Sequence, residues 1–332
     1  MRKQDVIKQY LPSQVIAGAR AEAFAPSNIA LCKYWGKRDK ELNLPINSSL
    51  SISLNHLGSR TVITPLDAAQ DEVWLNGQRV DGQDAFAQKV VRFLDLFRSE
   101  AGQAVKVDTH NNIPTAAGLA SSASGFAALM LAINDFYSLN LEPSVLSAFA
   151  RMGSGSASRS IYQGFAQWNM GEQADGMDSY AVPIDMPWPS LRIGLLKITT
   201  AAKKIDSRAG MQRTVESAPL YQSWPAQAAA DIQTLRRAIQ TQDFELLGQT
   251  AEQNALSMHA TMIASWPPLL YWLPESVEAM HRIWELRRAG LDLYFTMDAG
   301  PNIKLLFQEQ DSHAVMDAFP QLEVVNPFSP QA

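Results

Sequence analysis

The chain has 332 residues, of which 46% are hydrophobic and 18% are charged, so it can bury a large core and is long enough for two domains. Its formal net charge of -5 argues against a general attraction to nucleic acid or to an anionic membrane, so a polyanionic ligand would need local basic residues. The single cysteine, Cys32, excludes an internal disulfide and suits a reducing compartment.

The first residues give no sign of export. The start, MRKQDVIKQYLPSQ, is charged throughout and lacks the apolar core and the small-residue cleavage site of a secretory signal. No stretch of the sequence approaches the roughly 18 uncharged apolar residues that a membrane helix needs. We therefore expect a cytoplasmic protein.

The first third of the chain combines short strands with one helix. Strand-like runs occur at 62–66, 71–77 and 105–111, and the second ends in the turn signal Asn76-Gly77. Between the last two runs, residues 84–98 carry apolar side chains at helical spacing. This order favours an α+β protein over a regular βαβ repeat.

Helical patterns dominate the rest of the chain. Residues 126–139 are apolar nearly all round, which predicts a buried helix. A long helical zone follows at 226–263, and a helix at 275–288 is expected to end before Gly290.

Two features of the second half concern strands and domains. The runs LDLYFTM and IKLLF, joined by the turn residues DAGPN, predict a hairpin near the C-terminus. Three prolines occur at 183–192, where we expect a domain boundary.

A run of small, uncharged residues precedes the buried helix. Residues 114–125 read PTAAGLASSASG, so Gly118 would permit a close approach to the backbone, and Ser121-Ser122 would stand at a helix N-cap. Unpaired backbone N–H groups and the positive end of the helix dipole make such a position an anion site. The run contains neither GxxxxGK[ST] nor GxGxxG. Two interpretations stay open: a triphosphate-binding loop, or a turn that caps the helix and binds nothing.

Two other segments combine basic side chains with small or aromatic neighbours. The segment APSNIALCKYWGK places Lys33 and Lys37 around Tyr34, and GSGSASRS surrounds Arg159 with glycine and serine. Arginine among hydroxyl donors suits a carboxylate or a phosphate, because the planar guanidinium binds two oxygens at once. Taken singly, each segment is more often a solvated surface stretch.

The second half offers two further polar candidates. KKIDSR at 203–208 joins basic and hydroxyl residues, and MDAGPN holds Asp298 in a turn. A charged surface loop and an ordinary structural turn are the alternatives. The five histidines and one cysteine form no HExxH or CxxC pattern, which argues against a protein-bound zinc site, and no GxSxG nucleophile elbow occurs.

Together these segments resemble the diphosphomevalonate decarboxylase family of the GHMP kinase superfamily. The similar segments are APSNIALCKYWGKRDKELNLPINSSLSISL at 25–54, NNIPTAAGLASSASGFAAL at 111–129, GSGSASRSIYQGFAQW at 153–168, KKIDSRAGMQRTVESAP at 203–219 and MDAGPNIKLL at 297–306. They occur in the family's order. KYWGK and DAGPN are typical of the decarboxylase branch, whereas the glycine and serine loop alone would indicate only the superfamily.

The resemblance implies an α+β GHMP kinase fold. Residues 1–188 would form a domain like the second domain of ribosomal protein S5 and carry the ATP-phosphate loop. Residues 189–332 would form a ferredoxin-like α+β domain that carries the catalytic aspartate, with a cleft between the two. The implied reaction is ATP-dependent decarboxylation of mevalonate 5-diphosphate to isopentenyl diphosphate, a step of isoprenoid and hence lipid biosynthesis, and the implied assembly is a homodimer.

The resemblance also implies a role for each matching residue. Asp298 would accept or orient the proton of the substrate hydroxyl, Arg159 would hold the substrate carboxylate, Lys33 would neutralise charge beside Asp298, and Asn28 would orient the lysine and the substrate. The expected substrate contacts are Tyr34, Lys37, Ser154, Ser156, Ser207 and Arg208. The expected ATP-phosphate contacts are Pro114, Ala117, Gly118, Leu119, Ser121, Ser122 and Ser124. Mg²⁺ would arrive with ATP rather than on dedicated protein ligands, with Ser122 as its candidate protein contact.

Three alternatives remain open. Relatives in the superfamily decarboxylate mevalonate 5-phosphate or only phosphorylate mevalonate at C3, and a nucleotide-binding scaffold without activity is the non-enzyme alternative. The presence of Asp298, Lys33 and Arg159 favours decarboxylation. The pair Ser207-Arg208 favours the diphosphate substrate.

Overall fold

The computed structural model describes residues 1–98, 102–113, 121–201 and 205–329. Within these ranges strands and helices form an α+β structure, as the sequence predicted. The strands are β1 (Ala21–Cys32), β2 (Lys37–Asp39), β3 (Leu44–Pro45), β4 (Ser49–Pro65), β5 (Glu72–Leu75), β6 (Gln78–Arg79), β7 (Val105–Asn111), β8 (Phe165–Trp168), β9 (Ala181–Ile184), β10 (Leu191–Leu196), β11 (Tyr294–Thr296), β12 (Ile303–Gln308) and β13 (Glu323–Val325). The helices are α1 (Lys3–Ile7), α2 (Ala85–Leu94), α3 (Ser121–Phe136), α4 (Pro143–Gly153), α5 (Ser207–Ser217), α6 (Trp224–Thr241), α7 (Phe244–Ile263), α8 (Pro274–Arg288) and α9 (Ser312–Ala318), with 3-10 turns at Gly155–Ile161, Pro219–Ser223 and Glu309–Asp311.

The larger sheet is built around β4. Its strand order is β6-β5-β7-β4-β8-β9, with β1 paired to β4 as well. The run predicted at 62–66 is only the last part of β4, which extends over 17 residues. Sequence patterns missed the rest because its buried residues include Ser49, Ser51 and Ser53, although serine is not a typical strand former.

Helices cover this sheet as the apolar patterns indicated. α3 packs against β1 and β4, and its buried residues confirm the helix predicted at 126–139. α2 confirms the helix predicted at 84–98 but ends at Leu94. The carboxylate of Asp84 caps α2 by accepting a hydrogen bond of 2.7 Å from the backbone N–H of Phe86.

The smaller sheet has the order β11-β12-β10-β13 and is fully antiparallel. The predicted hairpin is confirmed, because β11 and β12 pair with Thr296 opposite Lys304. The helical zone at 226–263 is two helices rather than one. Gln242 adopts a left-handed conformation after α6, and Asp243 caps α7 by accepting from the N–H of Leu246.

One apolar core joins the two sheets. Its buried residues come from β1, β4, β10 and β12, and from α6 and α7: they include Ile29, Leu31, Leu50, Ile52, Ile193, Leu195, Trp224, Ile232, Leu247 and Leu306. This shared core brings the C-terminal end of β1 close to the turn between β11 and β12. In the part of the chain that is described, no helix is both long and apolar enough to span a bilayer.

Candidate active site

A cavity of about 680 Å³ lies where the end of β1 meets the β11–β12 turn. Its other walls are the start of α3, the 3-10 turn at Gly155–Ile161 and the start of α5. All residues for which the sequence predicted a catalytic role or a substrate contact line this cavity: Asn28, Lys33, Tyr34, Lys37, Ser154, Ser156, Arg159, Ser207, Arg208 and Asp298. Residues spread over most of the chain therefore share one space.

Lys33 is a buried lysine whose ammonium group reaches Asp298. Its side chain is 2% exposed, and Nζ lies 3.0 Å from Oδ1 of Asp298 and donates to the carbonyl oxygen of Ala30 at 2.6 Å. The backbone N–H of Lys33 donates to Asn254 at 2.8 Å, and its carbonyl oxygen accepts from Asn47 at 2.8 Å. Burial lowers the pKa of Lys33, and the charge of Asp298 offsets part of this change.

Asp298 is held from three sides while its carboxylate faces the cavity. Its side chain remains 31% exposed, and Nζ of Lys304 lies 3.4 Å from Oδ2. Nε2 of His259 lies 3.0 Å from the carbonyl oxygen of Asp298 and must be the donor, because a carbonyl oxygen only accepts. Burial lowers the pKa of His259 to about 3, so the ring is neutral at physiological pH.

Arg159 is also buried, in the 3-10 turn. Nη1 donates to Oγ of Ser49, and Nη2 donates to Oδ1 of Asn28 at 3.2 Å. Nε has no hydrogen-bond partner among the described residues. Burial lowers the pKa of Arg159 to about 10, so the guanidinium stays charged at neutral pH and retains an unused donor.

Asn28 contacts the arginine rather than the lysine. Its Nδ2 donates to the carbonyl oxygen of Ser156 at 3.2 Å and to Oγ of Ser160 at 2.8 Å, while Oδ1 accepts from Arg159. The amide thus orients the guanidinium. The sequence analysis expected Asn28 to orient Lys33 as well. The backbone of Lys33 is instead held by Asn254 and Asn47.

A group of cations lines one end of the cavity. Nζ of Lys37 donates to Asn43 at 2.6 Å, and burial together with the charge of Arg208 lowers its pKa to about 8. The same two causes lower the pKa of Lys89 to about 8. No carboxylate in the described ranges forms a salt bridge with Lys37, Lys89 or Arg208. Uncompensated cations in a cavity make a site for a polyanion.

Lys89, on α2, was missed by the sequence analysis. It belongs to no glycine-rich or basic cluster, and helical spacing predicted only that α2 has one apolar face. The ammonium group lies 4.3 Å from the ring centre of Phe126 on α3, an arrangement that depends on the packing of two helices. No local sequence signal could have found it.

The predicted ATP-phosphate contacts are only partly described. Ser122, exposed at the start of α3, lines the cavity and accepts from Oγ of Ser154 at 3.4 Å. Ser124 is fully buried, 2.8 Å from Oγ of Ser59, and is not in the cavity wall. Pro114, Ala117, Gly118, Leu119 and the side chain of Ser121 lie outside the described residues. Among those described, no three His, Cys, Asp or Glu side chains cluster so as to hold a metal ion.

Two family models match the chain in succession. The model described as "Diphosphomevalonate decarboxylase-like N-terminal domain" matches residues 25–181, and "Mevalonate 5-diphosphate decarboxylase C-terminal domain" matches residues 195–327. The chain belongs to the diphosphomevalonate decarboxylase family. The family and the GHMP kinase fold predicted from the sequence segments are thereby confirmed.

Individual members of the diphosphomevalonate decarboxylase family are similar over most of their length. The diphosphomevalonate decarboxylase of Aspergillus fumigatus is 39% identical over 319 residues, which cover 89% of this chain and 78% of that protein. The crystal structure of mevalonate diphosphate decarboxylase from Staphylococcus aureus has a TM-score of 0.86 and 40% identity, covering 93% and 95% of the two chains. A structure of MDDEF in complex with MVAPP, AMPPCP and magnesium has a TM-score of 0.86 and 41% identity, covering 93% and 96%.

Proposed function

We propose that this chain catalyses the ATP-dependent decarboxylation of mevalonate 5-diphosphate to isopentenyl diphosphate, with release of ADP, phosphate and carbon dioxide. The observation that carries the proposal is the Lys33–Asp298 pair, 3.0 Å apart, in the same cavity as the buried Arg159. Family membership and a similar structure that holds MVAPP and AMPPCP support it.

The reaction poses two chemical problems with one solution. A tertiary hydroxyl is a poor leaving group. In addition, loss of carbon dioxide leaves the electron pair of the broken C–C bond on carbon, with no adjacent centre to accept it. Transfer of the γ-phosphoryl group to the hydroxyl creates a good leaving group. When phosphate departs, positive charge grows at C3, and the electrons of the breaking C–C bond form the double bond.

Asp298 and Lys33 act on the substrate hydroxyl. The carboxylate accepts or orients the hydroxyl proton as the oxygen attacks the γ-phosphorus. Lys33, whose side chain is 2% exposed, donates to the same carboxylate and supplies a preorganised positive charge beside the transferring group. The exposed part of the Asp298 side chain supports access from the cavity.

Arg159 holds the substrate carboxylate. Two of its nitrogens are occupied by Ser49 and Asn28, which fix the plane of the guanidinium, and the remaining donors are available to a planar anion. A fixed carboxylate keeps the breaking C–C bond aligned with the departing phosphate. Asn28 contributes by orienting the arginine.

The cations and hydroxyl groups at the other end bind the diphosphate. Lys37 and Arg208 supply charge, and Ser154, Ser156 and Ser207 supply donors. The phenol oxygen of Tyr34 is buried and has no partner among the described residues, which suits a contact to a ligand oxygen.

ATP would bind with its phosphates at the start of α3. Ser122 lines the cavity there, and the other predicted contacts are Pro114, Ala117, Gly118, Leu119, Ser121 and Ser124. A similar structure contains magnesium, and a single hydroxyl such as that of Ser122 suits Mg²⁺ that is held mainly by phosphate oxygens and water. Bound in this way, Mg²⁺ would neutralise phosphate charge during transfer.

The experiment that tests this function uses mevalonate labelled with carbon-14 at the carboxyl group. The purified protein and Mg-ATP receive the 5-diphosphate, the 5-phosphate or free mevalonate in parallel. Labelled carbon dioxide from the diphosphate alone is expected. Equal release from the 5-phosphate would point to a phosphomevalonate decarboxylase, ADP with a stable 3-phosphate to a mevalonate 3-kinase, and ATP binding without phosphate release to an inactive scaffold.

We also propose domains at 1–188 and 189–332, a cytoplasmic location and a homodimer. The division is supported by the strands, since those of the larger sheet end at Ile184 and those of the smaller begin at Leu191. Large apolar side chains that are exposed between positions 220 and 277 support a homodimer: Leu220, Ile263, Trp266, Leu270, Leu273 and Val277. Light scattering of Trp266→Ser should show a shift towards monomer, and an unchanged dimer would place the interface elsewhere.

A further inference from the structure

A second buried lysine contacts the carboxylate of Asp298. Lys304 on β12 is 1% exposed, and its Nζ lies 3.4 Å from Oδ2, whereas Lys33 occupies Oδ1 at 3.0 Å. Each oxygen of the carboxylate thus has its own ammonium group. Lys33 directly follows β1 of the larger sheet, whereas Lys304 lies in β12 of the smaller sheet, so the two lysines approach Asp298 from different elements.

The strand itself gives no reason for a lysine at position 304. β12 is an interior strand that pairs with both β10 and β11, and Lys304 lies opposite Leu195 and Thr296. Leu306, on the same face of β12, is completely buried. A charged side chain in such a place is costly unless it is well paired. The acceptors near Nζ are distant, since Oδ2 lies at 3.4 Å and the carbonyl oxygen of Asn302 at 3.5 Å.

We propose that Lys304 is a positioning residue that acts through Asp298. Two ammonium groups, one on each oxygen, fix the plane of the carboxylate against the substrate hydroxyl. This inference rests on the proposed function, because it assumes that Asp298 meets the reacting hydroxyl. It adds a residue that the sequence analysis did not select.

The charge of Lys304 has a second effect, on Lys33. Burial is the largest cause that lowers the pKa of Lys33; the charge of Asp298 raises this pKa, whereas the charges of Lys304 and Arg159 lower it further. His259, which also interacts with Lys33, is buried and neutral. Removal of Lys304 therefore raises the pKa of Lys33. If protonated Lys33 is needed for turnover, the alkaline limb of the kcat profile moves to higher pH, which loss of packing alone would not cause.

The test compares Lys304→Met with the wild-type enzyme. Methionine has a similar length and suits an interior strand, so Tm should not fall, whereas kcat should fall on the order of 10²-fold because Oδ2 of Asp298 loses the ammonium group that helps to orient it. KM for ATP should stay within about threefold, since the nucleotide contacts are unchanged. The alkaline limb of kcat should move to higher pH.

Arg192→Met is the matched control. Arg192 is a nearly buried cation on the neighbouring strand β10, and it pairs with Glu309 at 2.6 Å, away from the cavity. This variant should keep the wild-type kcat and pH profile. In an Asp298→Asn background, Lys304→Met should cause little further loss, because its effect passes through the carboxylate. Should Lys304→Met fail to fold, Lys304→Gln serves in the same assays.

The outcomes separate this inference from the proposed function. Wild-type release of carbon dioxide tests the proposed function before any variant is measured. A Lys304→Met enzyme with wild-type kcat and pH profile, or one whose kcat falls only in proportion to its folded fraction, would overturn the role of Lys304 and leave the proposed function intact.

Discussion

Nζ of Lys33 and Oδ1 of Asp298 lie 3.0 Å apart although the residues are separated by 265 positions in the chain. The lysine follows a strand of the larger sheet, and the aspartate lies in a turn of the smaller sheet. Their contact depends on the apolar core that joins the two sheets, so any change that separates the sheets should also separate the pair.

Asp298→Asn should remove most of the activity. The amide has nearly the same shape but cannot take up the hydroxyl proton, so we expect kcat to fall on the order of 10³-fold or more while both ligands still bind. Single-turnover assays together with calorimetric titration of each ligand check this. Near-normal turnover would remove Asp298 from the mechanism.

Arg159→Lys should impair the chemical step more than ATP binding. An ammonium group cannot bond Ser49, Asn28 and a carboxylate in one plane, so we expect the activation free energy to rise by roughly 2 to 4 kcal/mol. Arg151→Lys is the matched control, because this buried arginine donates to the carbonyl oxygens of Gly176 and Ser179 outside the cavity. An effect confined to KM for ATP would show that the assignment of Arg159 is wrong.

Ser122→Ala should weaken the use of ATP. The lost hydroxyl lies at the start of α3, where phosphates are expected, so KM for ATP should rise with less change in KM for the diphosphate substrate. Ser124→Ala provides a comparison: because Ser124 is buried and bonded to Ser59, its loss should lower Tm rather than ATP affinity. Unchanged ATP kinetics in Ser122→Ala would mean that Ser122 does not contact the nucleotide.

The affinity for the diphosphate substrate should decline in alkaline solution. Lys37 has a pKa of about 8, and as the pH rises through this value the side chain loses the charge that attracts the diphosphate. We expect kcat/KM, which reports groups of the free enzyme, to fall above about pH 8. Lys37→Met should lower kcat/KM at pH 7 and flatten this limb. Lys89 has a similar pKa of about 8. If the fall of kcat/KM at high pH persists in Lys37→Met but disappears in Lys89→Met, the effect belongs to Lys89.

His259 should make the fold sensitive to mild acid. Burial lowers the pKa of His259 from 6.5 to about 3, so between these values the unfolded chain binds a proton that the folded protein does not. The free energy of unfolding should therefore fall with pH below 6.5, by up to about 1.4 kcal/mol per pH unit from this group. His259→Gln keeps a donor for the carbonyl oxygen of Asp298 and should lack this contribution. Urea unfolding at several pH values measures both slopes, and equal slopes would contradict the prediction.

The elements that could be predicted from sequence were those with a complete local signal. α8 and the β11–β12 hairpin have regular apolar spacing and clear stop residues, and both were found. β4 was recognised only at its end, because it buries serines among its apolar residues, and two of these, Ser49 and Ser53, have partners on other elements in Arg159 and Gln163. The break between α6 and α7 requires one left-handed residue, Gln242, which apolar spacing does not indicate.

The sequence by itself determined which chemical groups we propose for the site, since segments similar to those of the family carry Lys33, Arg159 and Asp298 in order along the chain. Only the tertiary structure decided how these groups are held: Asn28 orients Arg159, His259 anchors the backbone of Asp298, and Lys304 occupies its second carboxylate oxygen. The physical reason is that the segments similar to the family contain the side chains that are expected to contact a ligand. The supporting contacts depend on strand register and on a core shared by two sheets, which no local pattern specifies.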